Sequence, residues 1–495
     1  MGIVIKQGSI SGIITYLGAF IGFFNTIILF PAFLSPEEVG LIRVIPNIAF
    51  MLMPIVQLGT SNALIKFAPE IKKKEDGLAQ LIGLITLATL IGSTLMSLVI
   101  YIFKSDFVRL FEEKSPLIND YLPVIVILIF VLALYSLLEN YSRVLLKIIA
   151  MNLIKEILQR VMTGILVLLY YFDWIDLDSL IYSLIVIYGT SLILLIGYLT
   201  SLGQFKISLQ FHSIDREVFW RMATFSLYSI IGASGAYIVL NIDEIMVSSQ
   251  LGLSENGIYS TAFFFAVMIE LSKRAILQIT TPLIAQSFEN GRIDEIQKMH
   301  RQLSINQMII ASLFFIGIVS NLDNVYALMP NGDVYSLGRN VVIIIGLSKL
   351  IDMTFANNSE IIVMSKYYRF NMVTILCLCG IMVVLNLYLI PLYGMDGAAY
   401  ATLISITIFN LVKSIFIQWK LNINPFSLNT LKMLGVISVT LIIGLYFPLI
   451  SSPILDLGIR SAVITVSLIA MILFFRVSPE VTGIFNKHIV KRFMS

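Results

Sequence analysis

Along this chain, apolar runs of helix-spanning length recur at regular intervals, separated by short polar connections. A bilayer core of roughly 30 Å takes about 20 helical residues to cross, and only helices or closed barrels satisfy their backbone groups there. The runs are continuous rather than alternating, so the pattern predicts helices. Spans are expected near 10–33, 41–63, 79–103, 121–145, 148–172, 180–202, 219–242, 257–283, 303–322, 339–363, 370–392, 396–418, 430–450 and 457–475, about fourteen in all. The predicted fold is an all-α polytopic membrane protein.

Composition agrees: 58% of the residues are hydrophobic and 13% charged, which no water-soluble fold could hide. Net charge is +3 with both signs spread along the chain, so there is no basic patch for nucleic acid. Orientation follows from the cations, because short loops rich in Lys and Arg stay cytoplasmic. Of the 33 Lys and Arg, 26 fall on alternate connections, among them Lys66, Lys72, Lys73 and Lys74, then Arg292, Lys298 and Arg301, then Lys487, Lys491 and Arg492. The opposite side has acidic stretches with Arg43, Lys104, Arg109, Lys114, Arg339 and Arg460, and Lys349 is left near the midplane. The expectation is a bacterial inner-membrane protein with both termini cytoplasmic and its first helix retained.

Motifs exclude several chemistries. There is no GxxxxGK[ST] phosphate loop and no HExxH metal helix. Cys377 and Cys379, two residues apart in an apolar run, suit packing rather than a disulfide or a metal site. His212, His300 and His488 fall in expected cytoplasmic connections, away from any intramembrane proton relay. No extramembrane segment exceeds roughly twenty residues, so a soluble catalytic domain has no place.

An internal repeat is legible in LSPEEVGLI after the first span and LSENGIY after the seventh, with Gly40 and Gly257 in matching places. Six spans per unit is an even number, so the copies are expected to be parallel repeats. The domains expected are a six-helix bundle over 1–205, a second over 206–420, and two further helices with a tail over 421–495.

The stretches LSPEEVGLIRVI, NIDEIMVSSQLGLSENGIYSTA and GMDGAAYATLI, in that order, resemble the polysaccharide flippases of the multidrug/oligosaccharidyl-lipid/polysaccharide exporter superfamily. The resemblance implies two bundles around a V-shaped cavity and a polyprenyl-pyrophosphate-linked oligosaccharide, as in O-antigen or teichoic acid assembly, moved from the cytoplasmic to the outer leaflet. In the lipid II branch the first helix carries cavity arginines, whereas the first span here has no charge after Lys6, which disfavours a peptidoglycan precursor as cargo.

Charged residues inside spans are the candidate site, since each costs roughly 2.5–3.5 kcal/mol at the bilayer centre and should face protein or water. Lys349 and Asp352, three apart in the tenth span, share a helical face, as do Glu270, Lys273 and Arg274 in the eighth. Each set invites pairing along its own helix, and Lys273 and Arg274 have the alternative of snorkelling to the interface. If turned inward, Lys273, Arg274 and Lys349, with Arg43 at the start of the second span, are candidates to hold a pyrophosphate. Asp352, Glu270 and Asp243 are candidates for coupling to H⁺ or Na⁺, although Asp243 and Glu244 also read as a solvated pair at the end of the seventh span. Gly18 with Gly22, and Gly8 with Gly12, read as close-packing positions.

The function expected is a flippase working by alternating access through a cationic cavity. It needs no cofactor beyond H⁺ or Na⁺, is not an enzyme, and has as partners the lipid-linked oligosaccharide, membrane lipids and other polysaccharide-assembly membrane proteins. Two other readings stand beside it: an antiporter of cationic drugs or metabolites, which would want an anionic cavity, and a membrane polysaccharide polymerase or ligase, which would usually need a large external loop.

Overall fold

The structure, a computed structural model, describes residues 2–203 and 205–485, and every regular element among them is helical. Twelve helices are long and apolar enough to cross a membrane, as expected of a multi-pass membrane protein. Two other expected spans take other forms. One is the broken helix through Ile148–Asn152, a π turn at Leu153–Leu158 and Gln159–Tyr171; the other is the 37-residue Leu253–Glu289, whose run is interrupted by Glu270, Lys273 and Arg274. Contacts divide the chain into two compact units, Met1–Ser260 and Thr261–Ser495.

In the first unit, α1 (Gly2–Phe24) runs through a π turn at Asn25–Leu29 into Phe30–Phe33. The chain then turns extended at Leu34, and Ser35 with Glu38 forms a capping box for α2 (Pro36–Val56), with Pro36 in its first turn. Two residues after Pro54 the helix stops, and the chain restarts from Gly59, left-handed at φ +66, as α3 (Thr60–Ile71). Then follow α4 (Gly77–Ile102), α5 (Leu122–Val144), α6 (Gln159–Tyr171), α7 (Leu177–Ser201) and α8 (Arg216–Gln250). Asp176 caps α7 by accepting from Ser179 N at 2.9 Å, and hydrogen bonding from the Ser179 side chain, then from its amide, holds the Asp176 carboxyl below the usual aspartate range. One core gathers Leu41, Val44 and Ile45 of α2 against Val124, Ile125 and Leu128 of α5. Another joins Leu64 and Phe67 of α3 to Leu81 and Ile82 of α4 and Leu195 of α7.

The repeat glycines meet. A Cβ on Gly40 would run into the carbonyl of Leu253, and one on Gly257 would run into that of Pro36, a reciprocal pattern between matching positions. Asn256 Nδ2 also donates to the Gly40 carbonyl at 3.2 Å. Only the absence of a side chain allows this approach. Gly40→Ala is therefore expected to lose about 1–3 kcal/mol of stability through overpacking, seen as a lower melting temperature; an unchanged melt would contradict the contact. Gly18 packs on Glu156 and Gly22 on Arg160, as their spacing suggested, whereas Gly12 meets nothing within 4 Å.

The second unit takes α9 (Leu253–Glu289) from its ninth residue onward, then α10 (Ile293–Ser320), α11 (Arg339–Thr354), α12 (Asn358–Met364), α13 (Tyr368–Tyr393), α14 (Met395–Leu421), α15 (Leu428–Leu445) and α16 (Pro453–Phe474). Ile316 of α10, Met353 of α11, Met433 and Val436 of α15 and Leu468 of α16 share a core. Elsewhere apolar side chains stay outward: Leu227 and Leu240 of α8 are 66% and 63% exposed, as lipid-facing residues must be. Trp174 and Trp419, at 77% and 73%, stand near helix ends where interfacial aromatics concentrate. Cys379 is buried and Cys377 exposed, and neither is in a disulfide.

Candidate functional site

The expected span 339–363 is two helices. α11 ends at Thr354, Ala356 is left-handed at φ 48, and α12 begins at Asn358. Polar side chains satisfy the broken backbone and its flanks. Ser304 Oγ donates to Thr354 O at 2.6 Å, Gln307 Nε2 to Asn357 Oδ1 at 3.2 Å, and Asn357 Nδ2 to Thr280 Oγ1 at 2.6 Å. Irregular backbone at membrane depth is tolerated only where such partners exist, and discontinuous helices commonly mark transport sites.

One turn before this break, four candidate residues come together, with pairings other than those expected. Glu270 binds Lys349 Nζ at 2.5 Å, and Lys273 donates to Asp352. Asn410 Nδ2 of α14 adds a hydrogen bond to the second Asp352 oxygen at 2.9 Å. Neither helix neutralises itself. Each presents a base and an acid three residues apart, in opposite order, and the two rows join as two rungs. This register needs helices running the same way locally, since 270 meets 349 and 273 meets 352. All four side chains are at most 30% exposed, so Lys273 does not snorkel. Lys349 also lies over the Phe263 ring, 5.7 Å from its centroid. The Arg274 side chain lies outside the described residues. The four described charges cancel, so this cluster is balanced rather than cationic.

The remaining candidates lie in the first unit. Arg43 Nη2 donates to Thr26 Oγ1 at 2.7 Å, and its guanidinium stands 5.7 Å from the Phe30 ring centroid. Glu244 accepts from Asn47 Nδ2 of α2 at 2.7 Å. Because α8 runs on to Gln250, Asp243 and Glu244 are not a solvated pair at a helix end. Asp243 is 5% exposed and accepts from Tyr259 OH at 3.3 Å. A second polar cluster surrounds Glu139 of α5, clamped by Arg143 at 2.6 Å and by Lys155 at 3.0 Å. Arg160 pairs with Glu156 at 2.7 Å and donates to the Gly18 carbonyl, so it braces α6 against α1.

Some residues escaped sequence reasoning. Lys413 of α14 is 1% exposed and donates to Asn371 Oδ1 at 2.6 Å and Ser359 Oγ at 2.8 Å. Arg460, expected at the outer surface, is 3% exposed and forks onto Asp456 in α16, an i, i+4 pair legible in LDLGIRS. His300, expected in a connection, is 1% exposed within α10. His488 and the cationic tail lie outside the described residues. Among the described residues, no group of His, Cys, Asp and Glu could hold a metal ion.

Such a fold is found in solved membrane transporters. The structure is similar to the lipid II flippase MurJ in its inward closed conformation, with a TM-score of 0.75 at 13% identity, covering 94% of this chain and 98% of that one. It is similar to a multidrug resistance MATE family transporter of the MOP superfamily, inward-facing, with a TM-score of 0.63 at 13% identity, covering 85% and 98%. The Vibrio cholerae MATE transporter VcmN in its bent form gives 0.55 at 13% identity, again over 85% and 98%. No curated protein matches by sequence. The fold is thus one that these transporters share. Residues 4–288 match the model of the polysaccharide biosynthesis protein family, and the chain belongs to that family.

Proposed function

We propose that this protein is a flippase that turns a polyprenyl-pyrophosphate-linked oligosaccharide from the cytoplasmic to the outer leaflet of a bacterial inner membrane, by alternating access. The observation that carries the proposal is the two-rung cluster of Glu270–Lys349 and Lys273–Asp352 beside a broken helix. Ammonium groups held by carboxylates can change partner. A pyrophosphate arriving near Lys273 and Lys349 competes with Asp352 and Glu270 for the same protons, and the released carboxylates become sites for H⁺ or Na⁺. Cargo and ion then share one set of charges, so uptake of one favours the other. Sheltering the charged head inside protein removes most of the desolvation barrier to flipping, while the polyprenyl tail stays in lipid. Arg43, Arg274, Asp243 and Glu244 are assigned supporting roles in head-group binding and coupling.

Balanced charge in the cluster also supports a second reading, export of cationic compounds held by Asp352 and Glu270. A flipping assay in vesicles containing the purified chain separates the two. Appearance of the oligosaccharide head on the far leaflet is expected, at least tenfold above protein-free vesicles. Its absence, with uptake of a fluorescent organic cation in the same vesicles, would replace the flippase by the antiporter.

A further inference from the structure

We propose that a cavity at one end of the first unit binds the phosphate of an anionic phospholipid headgroup. The cavity has a volume of about 290 Å³ and is lined by Lys72, Lys74, Asp76, Leu78, Tyr141 and Lys206, among others. That volume equals roughly ten waters, room for a phosphodiester and its glycerol.

Three independent features point to this ligand. The first is cationic: Lys74 is engaged by Asp215, but Lys72 and Lys206 are exposed and have no ion-pair partner among the described residues. The second is the N-terminus of α4, which opens into the cavity. Asp76 is left-handed at φ 49 and its side chain makes no cap; the Gly77 amide is taken by Lys74 O at 3.1 Å, while those of Leu78 and Ala79, both lining residues, have no acceptor within the helix. Free amides at a helix start, with the helix dipole behind them, suit a phosphate. The third feature is apolar, and it favours a lipid over a soluble anion. Residues 205–211 form no regular element, and Ser208 N donates to Ala79 O at 3.0 Å, holding this segment beside the cavity. Ile207, next to the lining Lys206, and Leu209 beyond it are 50% and 67% exposed. A charged cavity bordered by bare apolar side chains matches the two ends of a phospholipid. The site shares no residue with the ion-paired cluster, so it does not depend on the flippase proposal.

Native mass spectrometry of the purified full chain tests this, with phosphatidylglycerol, phosphatidylcholine and inorganic phosphate as probes. Wild type is expected to retain phosphatidylglycerol over phosphatidylcholine, and Lys72→Gln with Lys206→Gln to weaken that binding about thirtyfold, the scale two lysines near an anionic surface imply. The pair Lys66→Gln with Lys73→Gln, from the same basic stretch but not among the lining residues, should leave it unchanged. Equal loss in both pairs would mean diffuse surface charge and overturn the site, as would retention in the first pair. Displacement of phosphatidylglycerol by millimolar inorganic phosphate would assign the cavity to a free anion and overturn the lipid.

Discussion

Lys273→Ala is expected to lower stability by about 3–5 kcal/mol and to bring flipping to background. Removing the ammonium leaves Asp352, with its side chain 18% exposed, held by Asn410 alone, and a buried charge stripped of its partner costs about that much. The stability loss by itself would not distinguish a brace from a binding group. Lys273→Ala combined with Asp352→Asn does, because it removes both charges and keeps the hydrogen bonding with Asn410. That double variant should recover most of the melting temperature yet remain unable to flip, because nothing replaces the cation that meets the pyrophosphate. Wild-type flipping by the double variant would make the rung a structural brace and remove Lys273 from the site.

Arg460→Ala is expected to be as damaging to the fold while leaving transport by the surviving folded protein intact. Asp456 is fully buried, and Arg460 donates to its Oδ2 from Nε at 3.1 Å and from Nη2 at 2.8 Å, while Nη1 reaches the Gly444 carbonyl of α15 at 2.9 Å. Truncation leaves the carboxylate with Asn324 and Ile450 N as donors and frees a carbonyl, again about 3–5 kcal/mol. Arg460→Lys should recover only part of this, since an ammonium cannot present the planar fork. Thermal melts in detergent read both changes. A melt indistinguishable from wild type for Arg460→Ala would show that α16 is not held by this pair. Flipping per folded molecule should stay near wild type, because the pair shares no residue with the two-rung cluster.

These two pairs mark where sequence reading stopped. Asp456 and Arg460 are four apart, and their pairing within one helix follows from spacing alone; their burial does not, because it depends on Asn324 and Gly444 from other helices. Lys349–Asp352 and Glu270–Lys273 have the same local logic, and there it misleads. Spacing of three lets each acid neutralise its own neighbour, but two such rows facing each other offer a second solution that also ties α9 to α11. The broken span was hidden for a related reason: ANNS carries polar residues but no Gly or Pro, and the residues flanking its left-handed Ala356, Thr354 and Asn357, are held by Ser304, Gln307 and Thr280 from elsewhere. The Gly40 and Gly257 match was legible as a repeat, yet that the two glycines touch needs the fold.

The fold class and the membrane were determined by the sequence itself, because the free energy of burying a twenty-residue apolar run in lipid is a sum over neighbouring residues and needs no knowledge of distant ones. The same holds for the list of charges that must avoid lipid. Which charge meets which was decided only by tertiary structure. Ion pairing depends on separations of a few ångströms between residues as far apart as 79 positions in the cluster and 141 for Lys74 and Asp215, and those are set by how each helix is rotated about its axis and where it breaks.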